Sequence, residues 1–168
     1  MSIISVEKDF DSLTLTLVAD FDAPIERVWQ LWADPRQLER WWGPPTHPAI
    51  VEDHDLAPGG AVTYVMTGPR GEQSRGWWRV TEVHPPESLE FEDGFADRHG
   101  APIAEMPVTA VQLRLSEHDG STRMQLRFAF DSRAHMQRLE RGGAFAVFQQ
   151  SVGQMDALLA RDVQPHGG

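Results

Sequence analysis

The chain has 168 residues, enough for one domain with a sizeable core, and 40% hydrophobic with 24% charged residues is ordinary for a folded protein. A net charge of −10 argues against a general binder of nucleic acid or anionic membrane, since such proteins carry basic faces that replace counterions. There is no cysteine, which excludes disulfides, thiolate metal sites and cysteine nucleophiles and suits a cytoplasmic location.

The opening "MSIISVEKDFDS" lacks the charged start and apolar run of a secretory leader, and reads as a short N-terminal extension. No run of about eighteen apolar residues predicts a membrane span. "SLTLTLVADF" alternates, with Leu13, Leu15 and Leu17 on one face, and predicts a half-buried strand. The period then changes. Ile25, Val28, Trp29 and Trp32 recur at helical spacing, with Asp22 placed to cap the helix and Pro24 near its first turn. Pro35 ends that helix or starts another, and residues 36–42 predict a short second helix closed by Gly43-Pro44-Pro45.

Strands follow. "HPAIVEDHDL" leads to a turn at Pro58-Gly59-Gly60, and "AVTYVMT" sets Val62, Tyr64 and Met66 on one side. A turn at Gly68 to Gly71 returns the chain into "QSRGWWRVTEV", where Trp78 is expected inward because Val80 shares its parity. "SLEFED" alternates Leu89 and Phe91 against Glu90 and Glu92, a pair of carboxylates that reads as a solvated strand face. Residues 93–107 show no clear period. "VTAVQLRLSEHDGSTRMQLRFAF" predicts a hairpin, with Val111, Leu113 and Leu115 before the turn at Asp119-Gly120 and Met124, Leu126, Phe128 and Phe130 after it. The last segment is helical: Phe145, Phe148, Val152, Met155 and Leu159 share one face, and Gly142-Gly143 interrupts its beginning. The terminal "QPHGG" is expected to fray.

These elements predict an α+β chain: a strand, two short helices, about six further antiparallel strands and a long C-terminal helix. One apolar helix face must cover one apolar sheet face, and a large sheet bent around a single helix can enclose space that its side chains leave unfilled.

The segments "FDAPIERVWQLWADPRQLERWWGP", "DLAPGG", "VTEVHPPESLEF", "VTAVQLRLSEHDGSTRMQLRF" and "FQQSVGQMDALL" carry a resemblance over residues 12–160. The chain resembles the START-like (SRPBCC, helix-grip) superfamily, in the branch similar to the C-terminal domain of activators of the ninety-kilodalton heat-shock chaperone's ATPase. The resemblance implies a single domain over residues 1–168. It also implies a curved antiparallel sheet of about six or seven strands wrapped around the last helix, with an apolar cavity between them. Phe148 stands where this branch usually has tryptophan, before Gln149-Gln150, a change that enlarges the cavity or repacks it.

On that architecture the expected cavity wall is Trp41, Trp42, Tyr64, Met66, Trp78, Phe128, Phe130, Phe145, Phe148 and Val152. Trp41 and Trp42 divide between pinning the short helix and facing the cavity mouth. Tyr64, the sole tyrosine, offers a hydroxyl to a ligand carbonyl or phenol. The seven histidines show neither His-x-His nor a pair at helical spacing, and no Gly-x-Ser-x-Gly or glycine-rich phosphate loop is present, so no metal, cofactor or catalytic set is expected. The leading expectation is binding of a small apolar or aromatic molecule by a monomer or homodimer. A cyclase, aromatase or hydrolase using the same cavity is the alternative, and a chaperone-type interaction domain ranks last.

Overall fold

The computed structural model describes residues 3–160; the expected fraying of "QPHGG" lies outside the described residues. Alternating side chains build one antiparallel sheet from β1 (Ile3–Asp9), β2 (Thr14–Phe21), β3 (Ala49–His54), β4 (Ala61–Thr67), β5 (Gln73–His84), β6 (Ser88–Ala96), β7 (Thr109–His118) and β8 (Ser121–Ala129). Their order across the sheet is β1-β2-β8-β7-β6-β5-β4-β3, so the last strand pairs with the second and joins the two ends of the chain. The curved sheet and the helix on its concave face are those of a helix-grip fold.

The sheet has eight strands where six or seven were expected. The additional strand is β1, in the segment expected to be a short N-terminal extension. Its side chains are mostly exposed, so periodicity gave no sign of it; pairing with β2 and the Lys8 Nζ–Glu140 Oε2 contact at 2.6 Å hold it. β6 also reaches Ala96, into the stretch that showed no period.

Helices α1 (Ile25–Ala33) and α2 (Pro35–Trp42) lie between β2 and β3. Asp34 serves both, ending α1 through its own N–H on the Gln30 carbonyl and capping α2 by accepting from the Arg36 N–H at 2.9 Å. Asp22 does not cap α1. Pro24 occupies that position, and the Ile25 N–H instead donates to Glu117 Oε1 of β7 at 2.6 Å, a cap supplied across the fold.

The last helical segment is two helices, α3 (Arg133–Arg141) and α4 (Ala144–Ala160). Ser132 caps α3 by accepting from the His135 N–H at 3.0 Å. Gly143, at φ +83°, makes the break between them, a conformation other L-residues adopt at a cost.

Under α1 and α2 the concave face is solid. Trp32, Trp41, Trp78 and Phe91 are each 1% exposed or less. Trp32 lies 4.6 Å from Trp41 and 6.3 Å from Phe91 between ring centroids, while Trp78 stacks on Phe91 at 3.9 Å. Burying side chains of this size contributes about 1.5–3 kcal/mol each. As expected, Trp78 and Val80 point inward. Trp77 lies on the outer face, its indole over Gly94 and its N–H on the Phe95 carbonyl at 2.9 Å.

Candidate functional site

Between the sheet and α4 lies a cavity of about 350 Å³. This is within the usual range for small-molecule sites, roughly 300–1,000 Å³. Tyr64 and Met66 of β4, Asp93 and Phe95 of β6, and Leu126 and Phe128 of β8 form its sheet side. Ala144, Val147, Phe148, Ser151 and Val152 form the α4 side, His135 and Leu139 of α3 continue it, and Trp41 and Trp42 close one end. Phe95 and Val147 are 43% and 36% exposed, which puts them at the side open to solvent.

The cavity brings together Trp41, Trp42, Tyr64, Met66, Phe128, Phe148 and Val152 from the expected wall. It does not include Trp78, Phe130 or Phe145. Trp78 is sealed between Phe91 and Trp42, and Phe130 packs against Phe145 at 5.8 Å and His135 at 5.5 Å. For Phe145 the reason lies in the rotation of α4. The stripe 144, 147, 148, 151, 152 faces the void, whereas Phe145, Met155 and Leu159 serve the core. Ala144 and Ser151 are small, so this stripe leaves volume between helix and sheet.

The adjacent tryptophans of α2 do different work. Trp41 is 1% exposed and anchors by donating Nε1–H to the Leu31 carbonyl at 2.8 Å. Trp42 is half-buried, its ring edge-on to Tyr64 at 5.8 Å and to Trp78 at 4.9 Å. Gln154 of α4 donates to the carbonyls of Trp41 at 3.3 Å and Gly43 at 2.7 Å, tying the end of α2 to the C-terminal half of α4.

The polar centre of the cavity was not foreseen. Tyr64 was expected to offer its hydroxyl to a ligand, but that hydroxyl donates to Asp93 Oδ1 at 2.7 Å. Its path to Asp93 crosses Gly76, where a Cβ would stand 2.2 Å from the Tyr64 oxygen. Glycine is therefore required on β5 opposite Tyr64. Asp93 shares the inward parity of Leu89 and Phe91, a signal present in "SLEFED" but hidden by its two outward glutamates.

Burial pushes the Asp93 carboxyl up to about 7, opposed by the Tyr64 hydrogen bond. Burial, the Asp93 charge and the hydrogen bond to it raise Tyr64 well above the ordinary phenol value; the Trp42 indole N–H nearby opposes this without reaching hydrogen-bond geometry. Near neutral pH Asp93 is therefore available both as acid and as base, while Tyr64 stays protonated. Among the described residues no three His, Asp or Glu side chains converge as a metal site. No described helix is long and apolar enough to cross a membrane.

A family model described as Activator of Hsp90 ATPase homolog 1-like protein matches residues 22–160. The crystal structure of protein Ms6760 from Mycobacterium smegmatis is 47% identical, covers 94% of this chain and 96% of its own, and superposes with a TM-score of 0.85. A solution structure of a protein from Arthrobacter aurescens is 46% identical over 95% of this chain and 93% of its own, with a TM-score of 0.91. A Staphylococcus epidermidis protein at 23% identity shares the fold, with a TM-score of 0.83 over 97% of this chain and 98% of its own. No curated protein matches the chain.

Proposed function

The chain belongs to the Activator of Hsp90 ATPase homolog 1-like family, and from that premise we propose that it binds a small, largely apolar molecule between its sheet and α4. The observation that carries this reading is the cavity of about 350 Å³, walled mainly by rings and aliphatic side chains, with the hydrogen-bonded Tyr64–Asp93 pair among its polar groups. Removing about 200 Å² of apolar ligand surface from water contributes roughly 5 kcal/mol before the costs of association. Tyr64 and Asp93 fix the orientation, as a few polar groups do in an apolar pocket.

Native mass spectrometry of the purified protein tests this, together with quenching of tryptophan fluorescence by added aromatic compounds. A retained small molecule or a saturable quench is expected, because Trp41 and Trp42 line the void. Protein that carries nothing and responds to no apolar compound refutes the reading.

Asp93 favours a second reading, an enzyme of the cyclase, aromatase or hydrolase type. A carboxyl lifted to about 7 inside an apolar cavity has the ionisation a general acid–base needs. Conversion of the bound molecule, lost in Asp93→Asn, distinguishes it from simple binding.

A further inference from the structure

We propose that the cavity selects a ligand bearing a protonated amine on an apolar or aromatic body, with the ammonium held by Asp93 Oδ2. This inference rests on the small-molecule reading above and names the ligand class.

Asp93 makes one side-chain hydrogen bond, from Tyr64 to Oδ1. No described residue donates to Oδ2, and that oxygen is not among the buried polar atoms sealed without a partner, so it opens onto the cavity that Asp93 lines. The basic residues at the cavity each have another carboxylate. Arg75 pairs with Glu52 at 2.5 Å, His135 with Asp131 at 2.9 Å, and His47 lies 3.8 Å from Glu72. Asp93 is the charge in the wall that has no cation. Its raised carboxyl has the same origin, since only the Tyr64 hydroxyl opposes its burial.

A desolvated carboxylate without a counter-charge is costly, and a cation offsets that cost more fully than a neutral donor does. The rings around it point the same way. Tyr64 holds Asp93, Trp42 lies 5.8 Å from Tyr64 between ring centroids, and Phe95, Phe128 and Phe148 also line the cavity, so the body that carries the ammonium is apolar or aromatic. The chain's net charge of −10 favours the approach of cations over anions in general. A ligand carboxylate meets the reverse: repulsion by Asp93, with Arg75 already committed to Glu52.

Calorimetric titration with three compounds of matched shape separates the possibilities: 4-phenylbutylamine, 4-phenylbutanol and 4-phenylbutanoate at pH 8. The amine is expected to bind at least about tenfold more tightly than the alcohol, and the carboxylate most weakly. Asp93→Asn, which keeps an acceptor for Tyr64, is expected to bring amine and alcohol to within about twofold. Alcohol or carboxylate binding as tight as the amine overturns the amine assignment while leaving the small-molecule reading standing. The wild-type series decides this even where the variant fails to fold. If none of the three binds and the purified protein carries no small molecule, both readings fall together.

Discussion

Two regions of one concave surface are built from the same kinds of residue, yet one is solid and the other hollow. Under α1 and α2, Trp32, Trp41, Trp78 and Phe91 fill the space to the sheet, with ring centroids as close as 3.9 Å. Under α4, Phe128 stacks on Phe148 at 4.6 Å, but a void of about 350 Å³ remains beside them. The sheet contributes large side chains in both places. The helices differ: α1 and α2 bury Trp29, Trp32 and Trp41 in the core and pack Trp42 against it, whereas α4 presents Ala144 and Ser151 in its cavity-facing stripe. Hollowness is set by the helix side of the interface, and among the described residues lining the void Asp93 is the one carboxylate.

The comparison breaks most visibly at Trp32. Trp32→Ala is expected to lose on the order of 3–5 kcal/mol in denaturant unfolding, because its neighbours cannot collapse into the space. A loss under about 1 kcal/mol means that this half is not solid.

In the hollow half the half-buried Asp93 sharpens the contrast through pH. Between the ordinary carboxyl value of 3.8 and about 7, folded Asp93 holds a proton that the unfolded chain has released. Its contribution therefore destabilises the fold increasingly as pH rises through that window and stays constant above it. Asp93→Asn is expected to match the wild type near pH 4 and to exceed it by on the order of 4 kcal/mol at pH 8. Thermal unfolding across that range checks the sign; a variant less stable than wild type at pH 8 contradicts it.

Gly76→Ala introduces a Cβ 2.2 Å from the Tyr64 oxygen and forces the phenol away from Asp93. The expected cost is about 1–3 kcal/mol. Wild-type stability in this variant would show that the Tyr64–Asp93 contact yields easily.

Phe148→Trp carries the smallest expected change, under about 1 kcal/mol, because the added ring atoms enter the void instead of packed protein. Retained stability with lost ligand binding fits a hollow site. A loss of several kcal/mol means the volume was already occupied.

Much of this was legible in the chain. Alternation placed Trp78, Val80, Leu89 and Phe91 on the buried face, and Pro35 with Gly43-Pro44-Pro45 delimited α2. The cavity wall was legible only in part. The apolar stripe of the last helix identified which face turns inward, but Phe145 fell to the core because the rotation of α4 decides which members of that face meet the void, Phe130 packs against it, and Trp78 is covered by Trp42 and Phe91. β1 gave no signal, since an exposed edge strand is defined by its partner rather than by burial.

The amino-acid order determined the parity of each strand, the punctuation of the helices and the residues available to face inward, because these depend on neighbours a few positions apart. Tertiary structure alone decided how far α4 stands from the sheet and that Tyr64 meets Asp93, 29 residues away, across the β4–β5–β6 register. Separation between two inward faces is a sum over long-range packing, and no local period records it.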